Sequence, residues 1–327
     1  MKSVVRTLAR GLGSFTSPGG ANASLTVLLY HRVLSTPDPL SPGEPSAAQF
    51  DAQMSVLSQV FRVLPLDEAL SRLAEGALPS RSLCITFDDG YLDNLEVALP
   101  ILRRHGLAAT FFIASGLIDG GRMMHDTVIE SVRRFPSPTV ELGWMGLGAK
   151  AVGDAASRLS LVDEIVCKIK YLSFEERSET CRHLAALAGE PLPANLMLTS
   201  EQVRALKRAG MGVGAHTHEH PILSRLSPDQ ARAQIVRSRD VLADVLGGPP
   251  SMFAYPNGKP GLDYTAEHVE MVKEAGFSSA VSVAFGTASR TSDHHQIPRF
   301  CPWDRDPWRL ALRLIGHPIR HKAPAQA

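Results

Sequence analysis

Residues 84–90 read Cys-Ile-Thr-Phe-Asp-Asp-Gly, and residues 216–220 read His-Thr-His-Glu-His. Two adjacent carboxylates close one apolar run, and two imidazoles four residues apart close another. One Asp and two His suit an open metal site, because three protein ligands leave positions for water and substrate. The second carboxylate is then available as a base. Side-by-side carboxylates repel, and the repulsion is relieved when one holds a cation and the other shares a proton or meets an arginine. Alone, Asp-Asp-Gly is ordinary turn chemistry, and a lone histidine is more often structural. The pair of motifs, each behind a strand-like run, shifts the reading from turn to site. On a helical turn His216 and His220 share a face, and His218 points away to solvent. Thr217 either orients a ligand or satisfies the local backbone.

These groups need strands that end at a common place. Residues 25–30, 83–87, 109–114, 211–215, 252–255 and 279–283 are short, apolar and β-rich, and read as strands. Helical patterns fall between them, over 50–60, 94–105, 200–209, 227–245 and 265–275. Ser200 is the expected cap of the third, and Gly106 the expected stop of the second. Alternation of this kind implies parallel βα units. Residues 119–200 break the rhythm, with helical patterns at 161–172 and 175–188, and read as a mostly helical insertion. The strand ends carry His31, Asp88 and Asp89, Ser115, His216 and His220, and Asn257. In barrels and open parallel sheets alike, that end holds the site.

Composition bounds the rest. The chain has 327 residues, 44% hydrophobic and 20% charged, with a formal net charge of +1. No overall field recruits nucleic acid, and no nucleic-acid partner is expected. The four cysteines form no CxxC pair and no evident disulfide framework; Cys84 reads as a core residue. No run approaches the roughly 18 apolar residues of a membrane span. Residues 2–11 can form a short basic amphipathic helix able to touch a membrane surface. No secretion signal is evident, so a cytoplasmic location, or a peripheral one at the inner face of the membrane, is expected. The expected organisation is a segment 1–24, a main domain 25–315 with the insertion at about 119–200, and a basic tail 316–327 with Arg320, His321 and Lys322.

Thr86-Phe87-Asp88-Asp89-Gly90 and His216-Thr217-x-x-His220 resemble two motifs of the polysaccharide deacetylases with a NodB homology domain, carbohydrate esterase family 4. Leu28-Leu29-Tyr30-His31-Arg32-Val33, Phe253-Ala254-Tyr255-Pro256-Asn257-Gly258 and Ile297-Pro298-Arg299 are similar to a subgroup met in exopolysaccharide biosynthesis. The resemblance covers about 25–300. It implies an α/β fold, a distorted (β/α) barrel of seven strands. It implies a hydrolase acting on carbon-nitrogen bonds, removing N-acetyl groups from amino sugars of a polysaccharide or a lipid-linked saccharide. It implies that Asp89, His216 and His220 bind a divalent metal and that Asp88 is the base. Zinc is the metal expected from the donor set, with cobalt or nickel also fitting.

Two features depart from the family pattern. Where an arginine often pairs with the base, this chain has Ala254, and Arg299 is the candidate to supply the guanidinium. The usual Leu-x-x-His motif of the general acid is missing. His31 ends a strand and is the candidate acid or substrate ligand; His294 and His295 read as exposed, and His317 and His321 lie in the tail. Pro256 and Asn257 are supporting candidates on their strand end. Asp263 either orients the acid or caps the helix near 265. His125 and Asp126 lie in the insertion, within possible reach of the cleft rim. Two other functions stay open. One is a deformylase or another amide hydrolase acting on a small or lipid-linked substrate. The other is a carbohydrate-binding protein impaired in catalysis.

Overall fold

Runs of Val, Leu, Ile and Phe bounded by Gly, Asp and Pro form the strands, as their fit to a buried pleated surface dictates. The computed structural model describes residues 2–136 and 138–320. Helix α1 (Lys2–Thr16) precedes β1 (Thr26–Tyr30), followed by α2 (Ala47–Val60), β2 (Arg62–Val63), α3 (Leu66–Ala74) and β3 (Ser82–Phe87). A π-turn, Asn94–Ala98, leads into α4 (Leu99–Arg104), and β4 (Thr110–Ile113) follows. The insertion holds α5 (Met124–Arg133), a hairpin of β5 (Thr139–Glu141) and β6 (Ala149–Ala151), α6 (Ala155–Ile169) and α7 (Phe174–Ala186). The alternation resumes with α8 (Ser200–Arg208), β7 (Gly212–Ala215), α9 (Pro228–Leu246), β8 (Met252–Ala254), α10 (Ala266–Glu274), β9 (Ser279–Val281) and α11 (Pro307–Arg320).

The main sheet has seven strands in the order β1-β3-β4-β7-β8-β9, with β2 added beside the start of β3. Every pairing in it is parallel. The register sets Tyr30 opposite Phe87, Phe87 opposite Phe111, Ile113 opposite Ala215, and Ala215 opposite Phe253. The carboxyl ends therefore lie along one rim, and the residues after them share it. The sheet curls into a half-barrel. An irregular segment, 297–300, covers both of its edges. Ile297 N–H donates to Ala280 O at 2.9 Å on one side, and Phe300 N–H donates to Val27 O at 2.8 Å on the other. Neither edge is left to pair with another chain.

Alternate strand residues feed two cores, as the two-residue period requires. Leu28, Tyr30, Ile85, Phe87, Phe111 and Phe253 pack under the helices. Val27, Cys84, Phe112, Ala254 and Val281 pack inside the curl with Leu66, Ala69, Leu70 and Leu73 of α3. The insertion builds its own core from Val128, Val132, Leu142, Val152, Leu161, Ile165 and Leu184. It is helical as expected, apart from the small β5–β6 hairpin.

Several boundaries differ from the expectation. Thr199, not Ser200, is the N-cap of α8, accepting from Gln202 N–H at 3.2 Å, while Ser200 N–H donates to Asp119. The segment 1–24 is not separate, since α1 packs on α2 and α11. The boundary at 316 falls inside α11, whose inward residues Leu310, Leu314 and Ile315 keep the helix seated on the core. The tail residues His321 and Lys322 lie outside the described residues, as does the side chain of Arg320. The four cysteines are free thiols, with Cys84 buried.

Candidate active site

The rim places the two motifs face to face. Asp88 leaves β3 with its N–H on Tyr30 O at 3.0 Å, which continues the β1–β3 ladder one step. Asp89 then takes a left-handed conformation, φ 78°, and Gly90 follows at φ 89°. That bend turns two neighbouring carboxylates toward different partners, which an extended chain would send to opposite faces. A Cβ on Gly90 would come within 3.1 Å of the Ile113 side chain, so glycine suits this turn on two grounds.

His216 follows β7. Its Nδ1 lies 2.7 Å from Ala254 O, so Nδ1 donates there and Nε2 faces the rim; burial lowers the proton affinity of this imidazole, and Asp88 and Asp89 raise it by more. His216 Nε2 stands 3.5 Å from Asp89 Oδ1, and His220 Nε2 stands 3.4 Å from the same oxygen. The expected helical turn is absent: Thr217 (φ 60°) and His220 (φ 55°) are both left-handed, and the loop between them brings the rings together. Thr217 Oγ1 donates to His216 O at 2.6 Å, holding that bend. His218 is not exposed. The loop folds it inward, buried, with Nδ1 2.9 Å from Ser115 Oγ.

Asp89, His216 and His220 each offer one ligand atom, all within 4.8 Å of one another. Donor atoms about 2.1 Å from a tetrahedral metal lie about 3.4 Å apart, so the two His–Asp separations fit such a polyhedron. Asp89 Oδ1 is buried and has no hydrogen-bond partner. An orphaned buried carboxylate oxygen between two imidazole Nε2 atoms fits a cation. Burial pushes the His220 imidazole down to about 3, against the pull of Asp89, so it is neutral as a ligand must be. Burial pushes Asp89 up, but His216, His220 and His31 outweigh it and hold the carboxyl well below the usual range.

Asp88 has a different surrounding. Arg299, carried on the 297–300 segment, grips it with two bonds of 2.7 Å, Nη1 to Oδ1 and Nη2 to Oδ2. Arg299 Nε donates to Ser282 O at 3.0 Å and Nη1 to Thr86 Oγ1 at 3.3 Å. The guanidinium side chain is 0% exposed and the Asp88 side chain 4%. Burial raises the Asp88 carboxyl; Arg299 and His216 lower it by more, so it stays ionised. Ala254, where the family pattern has its arginine, contributes only its carbonyl to His216.

The cleft holding these groups has a volume of about 610 Å³. His31, Asp88, Asp89, His216, His220 and Asn257 line it from the barrel rim. Asn257 is left-handed at φ 57° and sits in a tight turn between Pro256 and Gly258. Asp263 does not reach the cleft, and Thr265, not Asp263, occupies the N-cap of α10. The Asp263 Oδ2 accepts Lys259 N–H at 3.0 Å and closes the loop behind Asn257. His294 and His295 are half-buried away from the cleft, His295 with Nε2 on Phe277 O at 2.9 Å. His317 is buried against Gly286 O at 3.0 Å.

The insertion supplies the opposite wall, including His125, Asp126, Val162, Lys170 and Arg177. Its contact with the barrel is a cluster that motif reasoning missed. Arg32 Nε donates to Asp93 at 2.8 Å, Nη1 reaches Asp126 at 3.4 Å, and the guanidinium lies 4.6 Å over the Tyr91 ring. Burial pushes Asp126 up to about 7, only partly offset by Arg32. Asp126 was expected near the cleft rim and lies there; for its partners the sequence offers only position, Arg32 after His31, and Tyr91 and Asp93 after the Asp-Asp-Gly turn.

Residues 75–280 match the family model described as polysaccharide deacetylase. The chain is 22% identical over 279 residues to the YxkH protein of Bacillus subtilis, covering 85% of this chain and 71% of that one. It is 26% identical over 191 residues to poly-beta-1,6-N-acetyl-D-glucosamine N-deacetylase of Staphylococcus aureus, covering 54% of this chain and 62% of that enzyme. Among solved structures, the Streptococcus pyogenes deacetylase PplD superposes with a TM-score of 0.61 at 19% identity, over 90% of this chain and 99% of that one. IcaB from Ammonifex degensii gives 0.57 at 20% identity, over 91% and 98%. At those identities the structures speak for the half-barrel fold.

Proposed function

The chain belongs to the polysaccharide deacetylase family, hydrolases of the C–N bond in acetylated amino sugars, and we propose that it is a metal-dependent N-deacetylase of an amino-sugar polymer or lipid-linked saccharide. The observation that carries the reading is the division of labour between the two aspartates. One holds an orphaned oxygen between two imidazoles, and its neighbour is locked ionised by Arg299.

Asp89, His216 and His220 would hold the ion, zinc first by this donor set, with cobalt and nickel compatible. When bound, the ion supplies Lewis-acid polarisation of the acetyl oxygen and an acidified water. Asp88 takes the proton of the attacking water; its carboxylate, 3.7 Å from His216 Nε2, is on the same rim. Arg299 keeps that carboxylate ionised and fixed in orientation. The new bond joins water oxygen to the acetyl carbon, the C–N bond breaks, and His31 gives the leaving amine its proton. The products are acetate and a free amino sugar. Asn257 and the wall of the insertion position the sugar.

Acetate release from short N-acetylglucosamine oligomers, before and after chelation and after zinc return, tests the proposal. Loss with chelator and recovery with zinc are expected; release indifferent to chelator would remove the metal from the account. The insertion wall over the cleft favours a second reading, a deformylase or another amide hydrolase on a compact or lipid-linked substrate. Turnover of N-formyl monosaccharides above that of acetylated oligomers would select it. A binding protein impaired in catalysis would release no acetate under any metal condition. A location in the cytoplasm or at the inner membrane face belongs to the same proposal, and cell fractionation with a high-salt wash reads it out.

A further inference from the structure

From Arg6 onward, helix α1 sets its large apolar residues on the side a structural helix keeps polar. Small residues make its inward contacts: Ala9 is buried, and a Cβ on Gly13 would lie 3.3 Å from the Arg81 side chain and 3.7 Å from Ile315. Its large ones face solvent. Leu8, Leu12 and Phe15, spaced i, i+4, i+7 on one face, are 67%, 53% and 82% exposed. Helix α11, against which α1 packs, adds Leu312 at 56%. These side chains do nothing for the core, and water gains nothing from them.

The two helices themselves carry charge of one sign. Neither helix contains Asp or Glu, while α1 carries Arg6 and Arg10 and α11 carries Arg309 and Arg313. Asp304, buried, is shared by Arg309 at 3.4 Å and Arg313 at 2.5 Å, and the exposed Asp306 before α11 is offset by Arg305 beside it, so one positive charge remains over. Arg10 donates to the Gln59 carbonyl, which neutralises nothing. The whole chain is only +1, so this excess is local. Two copies of the same cationic face repel, which disfavours self-association through it. Exposed Leu and Phe among arginines match the interface of an anionic bilayer, where apolar side chains enter the headgroup boundary and guanidinium groups meet phosphates.

We propose that the outer face of α1, with Leu312 of α11, docks the protein on an anionic lipid bilayer, lying on the membrane without crossing it. No helix among the described residues is long and apolar enough to span one. This inference does not depend on the reaction proposed above, and its test does not read activity. The full-length protein is co-sedimented with vesicles of phosphatidylglycerol in phosphatidylcholine, and with phosphatidylcholine alone. The expected result is binding to the anionic vesicles, weakened at least tenfold by the triple substitution Leu8→Ser, Leu12→Ser, Phe15→Ser, and separately by Arg6→Glu with Arg309→Glu. Unchanged thermal melting of both variants shows that the fold is intact. Equal binding to neutral vesicles, or anionic binding that both variants retain, overturns the proposal. So does a dimer seen by light scattering that the triple substitution dissolves, because the face would then be an interface between copies.

Discussion

Replacing Arg299 by methionine keeps an unbranched stem but removes a charge, five donors and the guanidinium that lies 5.8 Å over the Phe112 ring. Asp88 would be left buried, ionised and without its two 2.7 Å bonds. Breaking a buried pair by removing one partner costs about 3–5 kcal/mol. Ser282 O also loses its donor. The pH dependence identifies the cause. In the native protein the Asp88 carboxyl lies below its unfolded value of about 3.9, so its contribution is full above that pH and fades as pH falls through the folded value. Without Arg299 the burial that raises Asp88 dominates, and the folded value moves above the unfolded one. The variant then binds more protons folded than unfolded at mildly acidic pH, so its stability falls as pH rises from about 4. Urea unfolding at pH 4.5 and 7.5 reads this directly: the deficit should be several kcal/mol at 7.5 and clearly smaller at 4.5. The acid limb of kcat/KM should shift upward together with it. Arg299→Lys keeps a charge but not the planar fork, and should fall between the two. A deficit equal at both pH values, with an unmoved acid limb, would show that Arg299 merely packs.

Asp89→Asn or His220→Ala should release the metal, measured by elemental analysis, with circular dichroism unchanged. His31→Ala should lower kcat by about 10²–10⁴-fold at full metal content if it protonates the leaving amine; near-normal turnover removes it from the mechanism. Asp126, raised to about 7 by burial, destabilises the fold progressively as pH rises from about 4. Asp126→Asn should therefore be most stabilising, relative to wild type, above pH 7 and least near pH 4, which thermal melting across that range checks.

Much of this site is contiguous in sequence, which is why it could be read. Asp88, Asp89, His216 and His220 sit in two short motifs, each behind a run of apolar β-formers, and parallel βα units gather strand ends on one rim. Arg299 was within reach because Ile297-Pro298-Arg299 stood out. That the 297–300 segment bridges β9 and β1, and so aims the guanidinium into the curl, has no local signature. The conformation of the histidine loop was misread for a related reason. Spacing of four suggests a helical turn, but positive φ at Thr217 and His220 leaves no trace in those residue types, and the burial of His218 follows from it. The insertion was legible as helices, and His125 and Asp126 as neighbours of the cleft rim, which they line; the cluster of Arg32, Asp93 and Asp126 was not, since it joins segments distant in sequence. Helix α11 is hard to read in the sequence because Pro318 lies inside it, where proline ordinarily ends a helix.

The mechanism turns on Asp88 as a base that is not a ligand. The measurement is acetate turnover by Asp88→Asn on an N-acetylglucosamine oligomer, with zinc content determined on the same preparation. Wild-type metal occupancy is expected, with turnover lower by about 10²–10⁴-fold. Wild-type turnover at full occupancy, or loss of the metal along with the activity, would contradict the separation of the two aspartates into different roles.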